Sequence, residues 1–309
     1  MYNDARLGVQ NTALTTTNSL PQASALAEAS VSRTNHHRPK AIPLDRLTQI
    51  AKVIRRHIVT MTAQANSGHP GGSLSATEIV TALYFHVMRH DPLNPKWEDR
   101  DRFILSKGHA CPVLYAALAE AGYFPVDELS TFRKMNSRLQ GHTHVMTPGI
   151  EMSGGSLGQG LSFGIGAALS GKIDKKDYRV YVLLGDGECD EGQVWEAAMS
   201  ATHYKLDNLT AIVDRNRIQN DRFTSEAMEI EPLPDKWRAF GWKVQEIDGH
   251  DLGQVINALK AARRVKDRPS AIIAHTVKGK GVSFMENNPA FHGKAANKDE
   301  LAQALQELA

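Results

Sequence analysis

The chain has 309 residues, 41% of them hydrophobic and 23% charged, which is enough to bury a full core. A formal net charge of +2 calls for no nucleic acid and no membrane surface as partner, and no apolar run approaches the roughly 20 residues of a spanning helix. Two cysteines, Cys111 and Cys189, lie too far apart for a metal-type spacing; they exclude a disulfide framework and suit a reducing, cytoplasmic setting.

Residues 1 to about 40 are rich in Thr, Ser, Asn, Ala and Gln, without periodic apolar spacing, and read as a flexible, non-catalytic N-terminal tail. His36 and His37 in this stretch read as solvated side chains. Residues 41–309 read as one domain. From Pro43 onward, Leu44, Leu47, Ile50, Ala51, Ile54 and Ile58 recur at helical spacing and predict an amphipathic helix. Ser67-Gly68-His69-Pro70-Gly71-Gly72 is expected to break it, with a second helix over about Ser75 to Met88. A glycine-rich break before a helix start offers free N–H groups to an anion, although the segment taken alone reads more readily as a turn with His69 at its tip.

Phe103-Ile104-Leu105 predicts a short strand, followed by Ser106-Lys107-Gly108-His109 and a helix over Cys111 to Ala121. His142 precedes a loop rich in Thr and Pro, after which Gly154, Gly155, Gly158 and Gly160 open a helix of small residues ending near Ser170, suited to close packing. The Gly155-Ser156-Leu157-Gly158-Gln159-Gly160 run matches a dinucleotide fingerprint poorly, because residues 147–152 make no credible strand before it.

The most informative stretch follows. Val180 to Leu184 is continuously apolar, as a strand buried on both faces requires, and Leu209 to Val213 repeats the pattern. Gln193 to Leu206 between them has helical composition, so the unit reads as strand, crossover helix, parallel strand. Asp186 and Asn216, thirty positions apart, then emerge at the carboxyl ends of two strands, where open α/β sheets bind ligands. One carboxylate and one amide oxygen suit Mg²⁺ shared with phosphate oxygens, and the Ile218 carbonyl could add a third ligand. Gly185 and Gly187 flank the aspartate and permit close backbone approach. Gly-Asp-Gly alone is an ordinary turn; the two strands and the spaced Asn are what favour a ligand site.

Lys243 to Ile247 and Ser270 to His275 predict two more strands, with a helix over Leu252 to Arg264 capped by Asp251 and a structural or surface role for His250. Asn297 to Ala309 reads as a terminal docking helix, against either this domain or a partner. The fold class is therefore α/β, a parallel central sheet with helices on both faces.

With these residues in hand, the segments SGHPGGSL (67–74), SKGHA (106–110), GHTHVMTPGIEMSGGSLGQG (141–160), the GDG-to-Asn216 unit and HTVKGKG (275–281) occur in the order found in transketolases. From about Leu44 the chain resembles the cofactor-binding half of that family. The resemblance implies thiamine diphosphate and Mg²⁺ as cofactors (Mn²⁺ or Ca²⁺ substituting), with Asp186, Asn216 and the Ile218 carbonyl on the metal. It places His109 on the diphosphate, Gly155 and Leu157 at the cofactor's ring end, and His69 and His142 against a donor ketose. Glu191 matches a glutamate at the interface between active sites, and His292 is the candidate for a further site histidine. The implied reaction moves a two-carbon ketol unit from a ketose phosphate to an aldose phosphate, with a neutral His69, aided by His292, taking a hydroxyl proton. Single-chain members of the family are longer and hold a second, pyrimidine-binding domain. The resemblance thus implies one subunit of a split enzyme that self-associates through the cofactor domain, joins a C-terminal partner in an α2β2 assembly and has no turnover alone. Two alternatives stay open: a subunit of another thiamine diphosphate enzyme, synthase-like or acting on modified sugars, and a catalytically idle cofactor-binding homologue.

Overall fold

The computed structural model describes residues 42–309. The tail reading of residues 1–40, with His36 and His37, lies outside them.

The first helix, α1 (Leu44–Gln64), buries Leu47, Ile50, Ala51, Ile54 and Ile58, while Leu44 at its start is half exposed. The next segment departs from expectation. The glycine-rich break is largely helical: α2 (Pro70–Ser75) begins at the proline, α3 (Thr77–Ala82) follows after one residue, and Leu83–Val87 widens into a π-turn. Proline suits the first helical position because no N–H is needed there, and its φ is preset. Gly71 is tolerated in this short helix because a side chain there would meet the Phe291 carbonyl at 2.9 Å.

Strands β1 (Arg102–Leu105), β2 (Val180–Gly185) and β3 (Leu209–Arg215) pair in parallel. Between β1 and β2 lie α4 (Cys111–Glu120) and α5 (Gln159–Ile173), the latter three residues longer than its composition suggested; α6 (Gly192–His203) crosses from β2 to β3. A small hairpin, β4 (Ile218–Gln219) with β5 (Arg222–Phe223), and two short helices, α7 (Thr224–Ala227) and α8 (Leu233–Ala239), precede β6 (Lys243–Asp248). Helix α9 (Leu252–Ala262), capped as expected by Asp251, leads back to β7 (Ser270–His275), which inserts between β3 and β6. The five-stranded order is β1-β2-β3-β7-β6, parallel throughout.

Strand alternation divides the core into two layers. Tyr181 and Leu183 point to the layer of α1, α3, α4 and α9. Val180, Val182 and Leu184 point to the layer of α5, α6 and α8, which includes the fully buried Trp237. Helix α5 lies very close to the sheet, for a Cβ on Gly164 would stand 2.5 Å from Val182, and one on Gly160 would run into Ser106. The last helix, α10 (Lys298–Glu307), docks on this domain: Arg56 of α1 donates to the Leu305 carbonyl at 2.8 Å. Among the described residues no helix is long and apolar enough to cross a membrane.

Candidate functional site at the strand tips

The register aligns Gly185 of β2 with Asp214 of β3, and Asp214 with Ala274 of β7, so three strand tips end side by side. Residues from each tip and from the loop after β1 line one cleft, among them Lys107, Asp186, Asn216, Lys278 and His292.

Asp186 is 1% exposed. Its carboxylate accepts from the Gly187 N–H at 2.9 Å and the Arg217 N–H at 2.5 Å. Arg217 adopts φ +67°, a left-handed conformation that costs a side-chain-bearing residue about 1–2 kcal/mol and here delivers its N–H to Asp186. Burial, then the neighbouring Asp214 carboxylate, pushes Asp186 up to about 6. Asn216 is oriented by two contacts: its Oδ1 accepts from the Ile218 N–H and its Nδ2 donates to Asp214, each at 3.1 Å. The Ile218 carbonyl lines the same cleft and accepts from Lys278 Nζ at 2.9 Å.

Opposite these oxygens stand four histidines. The His69 ring centroid lies 5.1 Å from His109, 5.3 Å from His292 and 6.2 Å from His142, and His109 lies 5.2 Å from His292. His292 Nδ1 accepts from Lys278 at 2.8 Å, while His69 Nδ1 is buried without a partner among the described residues. Burial lowers all four rings, and the nearby cations add to it: Arg133 and Lys278 for His69, Lys107 and Lys278 for His109, Lys278 for His292, Arg133 for His142. His69 falls to about 4 and His292 to about 3. A base near neutrality was expected at His69; burial first, and then the cations around it, make it a weaker one until negative charge arrives beside it. Lys278 itself is lowered to about 8, chiefly by burial.

The structure brings most, but not all, of the sequence-predicted residues together. His109, Leu157, Gly185, Asp186, Gly187, Asn216, Ile218 and His292 all line the cleft, and His69 and His142 join through the ring cluster. Gly155 is not among the cleft-lining residues; it lies beside Gly108, with nothing within 4 Å of where its Cβ would be. Glu191 is exposed and precedes α6, beside Gly158. A Cβ on Gly185 would meet nothing closer than 3.8 Å, whereas one on Gly187 would meet the Gln219 side chain, itself part of the cleft lining, at 2.6 Å.

Four functional groups escaped the sequence reading. Lys107 donates to the Gly72 carbonyl at 2.8 Å and ion-pairs with Asp214, which is wholly buried and also receives Ser75 at 2.5 Å and the Thr276 hydroxyl. Glu188 receives the Gly158 N–H at 2.8 Å, the Gly185 N–H at 3.0 Å and the Ser106 hydroxyl, tying three loops together. Lys278 is the fourth. Lys107 and Lys278 stood inside quoted motifs and Glu188 directly after Gly-Asp-Gly, yet composition alone does not tell a buried cation from a solvated one.

The donor set fits a metal–diphosphate. Around the cleft stand the raised Asp186 carboxylate, with the Arg215 guanidinium 3.6 Å away, the Asn216 and Ile218 oxygens, and Lys107, Lys278, His109 and His292, and burial disfavours the charged form of Asp186, Lys278 and both imidazoles alike. Mg²⁺ suits the oxygens, and a diphosphate suits the ammonium and imidazole groups.

A pH dependence follows for the unliganded chain. Each lowered imidazole takes up protons less readily folded than unfolded, so its stability contribution is present above pH 6.5 and lost as pH falls toward its folded value, about 4 for His69 and about 3 for His292. Asp186, raised from 3.8 to about 6, acts in the opposite sense over its own window but is outnumbered by the four rings. The thermal midpoint is expected to drop between pH 7 and pH 5; a midpoint that rises over this span contradicts the charge arrangement.

Comparison with known proteins agrees with this geometry. Residues 47–309 match the family described as transketolase, thiamine diphosphate binding domain. The chain is 47% identical to a 6-deoxy-6-sulfo-D-fructose transketolase subunit of a Clostridium species, over 84% of this chain and 94% of that one. It is 43% identical to one of the subunits of apulose-4-phosphate transketolase from Phocaeicola vulgatus, over 82% and 90%. Against single-chain enzymes it spans under half their length: 43% identity to rat transketolase covers 88% of this chain and 44% of the relative. The transketolase structure from Campylobacter jejuni superposes with a TM-score of 0.82 at 33% identity, covering 86% of this chain and 43% of that one. The chain therefore belongs to the transketolase family and carries its thiamine diphosphate binding domain.

Proposed function

We propose that the chain is the N-terminal, cofactor-binding subunit of a two-chain transketolase, transferring a two-carbon ketol unit between sugar phosphates or closely related sugars. The observation that carries this reading is the single cleft that gathers the buried Asp186 carboxylate, Asn216 and Ile218 at two strand tips together with Lys107, Lys278, His109 and His292. Asp186, Asn216 and the Ile218 carbonyl would hold Mg²⁺, with Mn²⁺ or Ca²⁺ as substitutes, and Lys107, Lys278 and His109 would face the diphosphate. Gly155 and Leu157 would border the ring end, with Glu191 toward a neighbouring subunit.

Thiamine diphosphate, when bound, supplies the nucleophilic carbon that allows the bond beside a ketose carbonyl to break. This chain's residues do the rest of the local work. Negative charge from the diphosphate would raise the depressed imidazoles, so that His69, with His292 beside it, accepts the donor's hydroxyl proton. His142, 6.2 Å from His69, would orient the donor's first carbons. We place the enzyme in the cytoplasm.

The pyrimidine-binding C-terminal subunit is the expected partner, because the relatives of similar length are named as subunits and the single-chain enzymes are over twice as long. Self-association through this domain is supported by exposed apolar side chains on the adjacent helices α5 and α6: Phe163, Ile173 and Met199. The sugars handled by the similar subunits, a sulfofructose and apulose 4-phosphate, make modified sugars the natural second substrate set. The test is co-purification with a C-terminal subunit followed by assays with xylulose 5-phosphate plus ribose 5-phosphate and with sulfofructose, all with Mg²⁺ and thiamine diphosphate. Activity is expected only in the two-chain sample. Turnover by this chain alone, or none with any ketose, overturns the reading.

A further inference from the structure

Lys278 stands on an irregular loop after β7, and a loop so poor in regular structure needs some other means of aiming an ammonium. Behind it, away from the cleft, sits a buried charge cluster that the proposed reaction does not use. Arg55 of α1 grips Glu78 of α3 through a hydrogen bond at 2.8 Å and a second ion-pair contact at 2.6 Å, and Glu78 also meets His250 Nδ1 at 3.0 Å. The three side chains are 8%, 9% and 14% exposed, and none lines the cleft.

Both outer members reach the loop. The Val277 N–H donates to His250 Nε2 at 2.8 Å, and Arg55 Nε donates to the Lys280 carbonyl at 3.0 Å, so the residues on either side of Lys278 are held from the same carboxylate. The hydrogen-bond directions fix the imidazole. Nε2 accepts from a backbone amide, so Nδ1 carries the hydrogen and gives it to Glu78. A carboxylate that orients a histidine, which in turn orients a functional group, is the arrangement found behind metal-ligating histidines; here the group aimed is a peptide N–H.

We propose that Glu78, Arg55 and His250 form a latch that positions Lys278 toward the diphosphate of the cofactor. The latch rests on the reading of Lys278 given above. A cluster that merely satisfied buried charge would need no contact with residues 277 and 280, and its loss would lower stability without changing affinity for a diphosphate.

Two readouts on the full-length chain separate these cases. Without ligand, amide hydrogen exchange over residues 276–281 is expected to quicken in His250→Ala and to stay slow in His250→Gln, whose amide oxygen can accept from Val277 while its nitrogen donates to Glu78. By calorimetry with Mg²⁺ and thiamine diphosphate, His250→Ala is expected to weaken binding about 10–100-fold, as loss of an orienting partner does. His250→Gln should recover most of it. In a Lys278→Met background His250→Ala should add no further loss, the signature of one residue acting through the other. If His250→Ala does not fold, Arg55→Lys serves, since an ammonium cannot hold both Glu78 oxygens and the Lys280 carbonyl in Arg55's geometry; the same weakening is expected. Lys278→Met binding the cofactor normally overturns the role of Lys278. Weakened Lys278→Met beside a normal His250→Ala or Arg55→Lys leaves that role standing and overturns the latch.

Discussion

Asp186→Ala is expected to abolish Mg²⁺-dependent uptake of thiamine diphosphate and to lower ketol transfer by the two-chain enzyme by about a thousand-fold or more. Metal stabilisation is worth several kcal/mol, and each 1.36 kcal/mol is about tenfold in rate. The physical reason is specific to this carboxylate. It is 1% exposed, raised to about 6 and pinned by two backbone N–H groups, so folding holds it in a place it resists occupying. The Arg215 guanidinium, 3.6 Å away, offsets its charge in part, and a metal cation would complete the compensation. Calorimetry with and without Mg²⁺ checks the claim, with circular dichroism to show that the fold persists. Unchanged affinity in Asp186→Ala would remove the metal assignment, and Asn216 and Ile218 with it.

Lys107→Met is expected to be the most destabilising single change among the site residues, by about 3–5 kcal/mol, because it leaves the wholly buried Asp214 carboxylate without its cation. That corresponds to a fall of roughly 10 °C in the thermal midpoint. Ser75, Thr276 and Asn216 would still donate to Asp214, so the carboxylate would be hydrogen-bonded yet unneutralised. Adding Asp214→Asn should recover much of the loss by deleting the stranded charge, and the double-mutant cycle measures the coupling. A Lys107→Met midpoint within a degree or two of the unaltered chain would show that the pair contributes little. The buried pair lies between the tips of β1 and β3 and anchors α2 through the Gly72 carbonyl, so its loss should also loosen His69 and lower cofactor affinity.

Much of the site was legible because it is local. Asp186 follows an apolar strand directly, Asn216 follows the next, and a single crossover helix separates them; strand and helix periodicities report such a unit over a short window. The same holds for α1, whose apolar spacing gave its buried face. The helical nature of Pro70–Ser75 was hidden because glycine content argues against helix, while the close approach of the Phe291 carbonyl, more than two hundred residues away, leaves no room for a side chain at Gly71.

What the amino-acid order determined alone was the main strands and the helices between them, the parallel α/β class and the placement of Asp186 and Asn216 at two strand ends; the β4–β5 hairpin, α7 and α8 were outside its reach. Tertiary structure decided which distant residues share that site. The insertion of β7 between β3 and β6 brings Thr276 and Lys278 beside Asp214 and Ile218, and the two-layer packing sets Ser75 and Lys107 against the same aspartate. The four histidines come from four separate loops and meet only there. Periodicity carries no record of strand order, and whether a lysine or histidine is solvated or buried among other cations depends on that order.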